Sequence, residues 1–113
     1  MRIVTITLLS ISAIACGSAL PAPSEEWAAA QADVGRAQAG GAPSVPNARL
    51  HLELAQEDLQ KSKDLMDKDN KRATSLVSLA RTEAQLALSL AKTAQAQDDA
   101  QKAQQDIQKA KGN

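Results

Sequence analysis

The sequence predicts an all-α protein: an antiparallel helical hairpin with a shorter N-terminal helix folded onto it, forming a three-helix bundle whose C-terminal helix is long. Three observations point there. Hydrophobic residues make up 43% of the 113, yet 1% are aromatic, with one Trp and neither Tyr nor Phe. Much of the apolar content is alanine, the strongest helix former, while the Val, Ile and aromatic alternation that strands require is scarce. Beyond residue 24 the apolar positions recur at intervals of three and four, and the four prolines fall in two clusters, at 21–23 and 43–46.

Residues 1–15 read as a lipoprotein signal peptide, 16–24 as a lipidated cysteine with an extended tether, 25–94 as a helical domain and 95–113 as an Ala/Gln/Lys-rich helical tail. The leader opens with Arg2, continues through an uncharged run from Ile3 to Ala15 and ends in small residues, as secretory signals do. That run is 13 residues, short of the roughly 20 that span hydrocarbon. Ala13-Ile14-Ala15 satisfies the small-x-small rule for ordinary signal peptidase, and with Cys16 it also reads as a lipobox. The chemistry of lipid attachment accounts for the cysteine: a thiolate is alkylated there, and cleavage exposes an amino group for acylation. A lone Cys in an exported protein has no disulfide partner, which lipidation of Cys16 also explains. Soluble export and a retained signal-anchor are the competing readings. Gly17 stands where an Asp would favour the inner membrane, so the expected address is the outer membrane, facing the periplasm.

Gly17–Ser24 carries Pro21 and Pro23 and reads as a tether lifting the folded part roughly 20 to 25 Å from the lipid. The first helix starts at Ser24 as N-cap, with Glu25 and Glu26 favoured by the helix dipole. Trp27, Ala30, Val34 and Ala37 form its stripe, and Gly40-Gly41 ends it. The second runs from about Asn47 to Asp67, with a seam of Leu52, Ala55, Leu59, Ser62 and Met66. Glu57–Lys61 and Asp64–Lys68 are i,i+4 pairs on its outer side. Asp67-Lys68-Asp69-Asn70 is the break, with Asp69 or Asn70 capping the next helix.

The third helix runs from about Lys71 to Lys109. Its seam is Ala73, Leu76, Ala80, Ala84, Ala87, Ala91 and Ala94, flanked by Leu79, Leu86 and Leu90 on one side and Val77 and Leu88 on the other. Folding the first helix back over Leu50, Leu54, Leu86 and Leu90 would bury side chains worth roughly 1.5 to 3 kcal/mol each. It would also bring Trp27 near Leu65 or Leu79. Past Ala94 a thin repeat persists at Ala96, Ala100, Ala103, Ile107 and Ala110, readable as a solvated tail or as a weak coiled-coil seam.

Ala37, Gly40-Gly41-Ala42 and Pro46, then Leu52-x-x-Ala55-x-x-x-Leu59, followed by Ala73 and Leu79-Ala80-x-x-x-Ala84-x-x-Ala87-x-x-x-Ala91, resemble the bacterial domain of unknown function 4398. The resemblance covers roughly residues 22 to 100. Val45 stands where that family usually has Tyr. It implies a small helical module of envelope lipoproteins, with no catalytic residue to carry over.

Chemistry is sparse. His51 is the only histidine, which excludes a multi-histidine zinc site or a metalloprotease motif, and it reads as a half-buried structural side chain. Asp98-Asp99 and Asp67/Asp69 lack the calcium-loop pattern and read as solvated acids. Thirteen basic residues balance thirteen acidic ones, no footprint for nucleic acid. Trp27 reads as a core anchor, or else as an exposed contact for a partner or lipid surface. The expected function is a non-enzymatic, membrane-anchored spacer or interaction module. Its partners are the membrane through lipid on Cys16 and an envelope protein or a second copy, with candidate contacts at Trp27, Ala96, Ala100, Ala103 and Ile107. No cofactor is expected beyond the covalent lipid. A small-ligand or lipid-binding bundle is the alternative.

Overall fold

A computed structural model describes residues 19–112. Cys16, with the leader before it, lies outside the described residues. Within them run α1 (Ser24–Ala39), a 3-10 turn (Ala42–Ser44), α2 (Pro46–Leu65) and α3 (Asn70–Lys111).

The Gly40 stop and the Asp69 cap are as expected, while the starts of α1 and α2 and the end of α2 differ by a residue or two, each for a local reason. Ser24 is the first helical residue rather than the cap; buried Pro23 precedes it, its carbonyl accepting the Trp27 N–H at 2.9 Å. α2 begins at Pro46 because proline at the first helical position gives up an N–H that would have no partner anyway. It ends at Leu65, so Met66 leaves the seam and Lys68 falls outside the helix. The expected Asp64–Lys68 pair is therefore not formed; Gln60 Nε2 donates to Asp64 instead, at 3.2 Å. The Glu57–Lys61 pair is present at 2.6 Å. Asp69 caps α3, its carboxylate accepting the Arg72 N–H at 3.1 Å.

α1 folds back. Trp27 Nε1 donates to the Leu59 carbonyl at 3.1 Å, while the C-terminal end of α1 leads through the 3-10 turn directly into α2. α1 is thus antiparallel to α2. Asp33 meets Arg81, and a Cβ on Gly40 would collide with Leu88, so α1 runs parallel to α3. Gly41 adopts a left-handed backbone at φ 92°, which only glycine takes freely, and this turns the chain into α2. α2 and α3 form the hairpin, and α1 lies along one of its two grooves.

Ten of the fourteen buried apolar residues among those described are alanine, so the helices approach closely and each contact contributes little. Alongside Ala30, Ala37, Ala55, Ala80, Ala84 and Ala87, the bulkier core members are Val34, Leu52, Leu59 and Val77. Val77, and not Leu76, is the large side chain buried with the alanines of the α3 seam; Leu76 and Ala94 are half-buried.

The fold-back is as expected, but its anticipated cause is not. α1 covers the Val77–Arg81–Leu88 side of α3, and the leucine flank stays in solvent: Leu50 54%, Leu54 38%, Leu79 47% and Leu86 41% exposed, with Leu90 half-buried. Asp33 supplies the physical reason. It is 4% exposed within the α1 stripe and requires a counter-charge, which Arg81 offers on the covered side. On the other side stand Glu83, engaged by His51, and Asp58, beside Lys61 and Glu57, so Asp33 would meet two acids there with their basic partners already near them. Trp27 accordingly lies at Leu59, with Lys63 Nζ 5.6 Å from its ring centre, and not at Leu65 or Leu79.

Candidate functional site

Three features of the bundle bear on function: the end where the chain enters, the groove at Trp27, and the length of α3 beyond the hairpin.

At the entry end, Asn70 uses both ends of its amide. Its Oδ1 accepts the Asp67 N–H at 2.8 Å, bracing the turn in which Asp67 has a left-handed φ of 66°. Its Nδ2 donates to the Leu20 carbonyl at 2.7 Å. Pro23 is buried and Ala22 half-buried. The far half of the expected extended tether is thus docked on the bundle, fastened from residue 20 onward.

Two polar clusters lie within the packed part. Asp33 accepts from Arg81 Nε at 3.1 Å and from Arg36, leaving a buried carboxylate shared between two guanidinium groups. His51 Nδ1 lies 2.5 Å from Glu83 Oε2, tying α2 to α3 as a half-buried structural pair. Beside it, partial burial pushes the Asp58 carboxyl upward from its ordinary value; the Lys61 charge opposes this, and Glu57 and Glu83 reinforce it. Lys61 is held upward by its hydrogen bond to Glu57. Among the described residues no three His, Cys, Asp or Glu side chains come together as metal ligands, and no helix is long and apolar enough to cross a membrane.

Trp27 lines an open groove of about 440 Å³ between α1 and α2, with Gln31, Val34, Gln38, Gln56, Leu59 and Gln60. Four amides share this groove with a half-buried indole, Val34 and Leu59, so its lining is of mixed polarity.

α3 continues for 20 residues past Ala91, its last buried residue. Ala96, Ala100, Ala103 and Ile107 all face solvent, Ile107 at 55% exposure. The two-residue step from Ala94 to Ala96 rotates the apolar stripe by about 160°, turning it away from the side on which α2 packs. Trp27 belongs to a different surface: its neighbour Glu26 lies level with Val77, roughly 30 Å along the α3 axis from Ala96. The candidate contact residues therefore lie on two separate surfaces. The sequence pattern did not single out Leu20 or Asp33, and it marked Asn70 only as a cap candidate. Asp33 carried a signal, an acid inside an apolar stripe. The Leu20–Asn70 contact joins residues 50 apart and carried none.

A family model for the domain of unknown function DUF4398 matches residues 25–103. No curated protein and no solved structure matches the chain.

Proposed function

Because the chain belongs to the DUF4398 family, whose description names no activity, we propose from its architecture that it is a non-enzymatic envelope lipoprotein, anchored through lipid on Cys16 and acting as a spacer or protein-interaction module. The observation that carries this reading is α3 itself. One helix serves as bundle core up to Ala91, keeps contact with the bundle through Ala94 and Gln95, and then extends over residues 96–111 into solvent with an apolar stripe of its own. Isolated helices of that length are marginal in water, and this one is held at its N-terminal end by the bundle. A shape of that kind presents a contact surface at a distance.

The lipobox-like Ala13-Ile14-Ala15-Cys16 and the solitary cysteine support the anchor, and Gly17 supports an outer-membrane address facing the periplasm. The helix-on-helix core of alanines supports a rigid module over the alternative of a ligand-binding bundle, whose best support is the open groove at Trp27.

Growth with a clickable palmitate tests the anchor: wild type takes the label in the envelope fraction and Cys16→Ala does not. A mature mass equal to the bare polypeptide would overturn it. Affinity capture from crosslinked envelopes, with and without residues 95–113, tests the module: a partner lost on truncation supports the projecting helix as the contact.

A further inference from the structure

We infer that the protein stands end-on at the membrane, with the α2–α3 turn against the lipid headgroups and α3 pointing away. This rests on the anchor at Cys16 proposed above. The fold-back of α1 brings the entering chain to the same end of the bundle as the turn, and Asn70 fastens it there through the Leu20 carbonyl at 2.7 Å. From Cys16 to Leu20 is four residues, a contour of at most about 14 Å.

The lipid surface carrying the anchor is therefore the one partner that the turn cannot move away from. That end carries surface-exposed Leu20, half-buried Leu65 and Met66, and Lys68, Lys71 and Arg72 facing solvent. Lipid phosphates match those cations. Asp67 and Asp69 lie among them, Asp69 engaged in capping the Arg72 N–H, so the posture comes from the short attachment and not from net charge.

At 1.5 Å per residue α3 then carries Ala96 about 40 Å and Lys111 about 60 Å from the turn. The apolar stripe of the projecting helix would meet its partner at that height. The exposed leucines at 50, 54, 79 and 86 run along the side of the bundle, so the competing posture lays that flank on the lipid.

The test uses the chain from Cys16 onward, its thiol coupled to a maleimide phosphatidylethanolamine in phosphatidylcholine–phosphatidylglycerol vesicles. Coupling in this way makes the posture independent of processing in the cell, which the palmitate experiment reads separately. A clickable residue replacing Lys68 or Lys109 carries a donor dye, and acceptor lipids lie in the vesicle surface. End-on posture gives strong energy transfer from position 68 and near-background transfer from 109. In Asn70→Asp, which keeps the acceptor for Asp67 but loses the donor to Leu20, transfer from 109 rises while circular dichroism stays helical. Equal transfer from both positions in the unsubstituted chain would overturn the posture. An Asn70→Asp chain that behaves as the parent does would overturn the role of Asn70.

Discussion

Asp33 is the residue on which the packing of α1 turns. A carboxylate that is 4% exposed costs several kcal/mol unless it is paired, and here Arg36 and Arg81 share it. Arg81→Ala leaves Arg36, so the loss is partial: chemical denaturation should show destabilisation by about 2 kcal/mol. A change under about 0.5 kcal/mol would mean that Arg81 does not hold α1 in place. Asp58 is the opposite case, a carboxyl whose partial burial beside Glu83 raises its affinity for a proton in the folded state. A folded-state value above the unfolded one is stabilising below the unfolded value, and that contribution disappears as pH rises through the folded value. Asp58→Asn should therefore raise stability near neutral pH, within about 0.5 kcal/mol, and lose that advantage on acidification. Denaturation midpoints for both proteins across the carboxylate range check the sign; an advantage that grows in acid contradicts it.

At the scale of the helix, the two flanks of α3 should respond differently. Leu79→Gln and Leu86→Gln alter side chains already in solvent and should change stability by no more than about 0.5 kcal/mol. Val77→Ala empties a fully buried position under α1 and should cost about 1 to 2 kcal/mol. Equal costs would put α1 on the leucine flank after all. Truncation after Ala94 should leave thermal stability nearly unchanged and Trp27 emission blue, because residues 95–112 are exposed and Gln95 reaches back only to the Gly40 carbonyl just past α1, at 3.2 Å. A large loss of stability with a red-shifted indole would show that the projecting helix is part of the fold.

The same flanks mark how far the fold was legible in the sequence. Three helices, their stops at Gly40-Gly41 and Asp67–Asn70, the Asp69 cap and the alanine seam of α3 all arise from local chemistry at short spacing. The choice of groove did not, because leucine volume and the counter-charge of one aspartate pointed to opposite sides of α3. Arg81 lies 48 residues from Asp33 and is the only basic residue between Arg72 and Lys92, so the pair can be recognised once the acid in the stripe is noticed. Asn70 was legible as a cap candidate but not as the clasp on Leu20, since no periodicity links a tether to a turn.

The molecule as a whole divides, over its described residues, into a packed bundle and a helix that leaves it. The bundle buries mostly alanine, so its stability is spread over many thin contacts and the Asp33 and His51 pairs carry weight beyond their number. The family match extends to residue 103, past Ala91 and into the projecting part, so the projection belongs to the family's shared region and not to an appendage alone. Hydrogen exchange across the purified chain, read by mass spectrometry, tests this division most directly. Exchange should be slow at Ala30–Ala37, Leu52–Ser62 and Val77–Ala91, and across 96–111 as fast as in an unsupported helix. Protection of 96–111 equal to that of the core would contradict the division, because the projecting helix would then be covered in the protein alone.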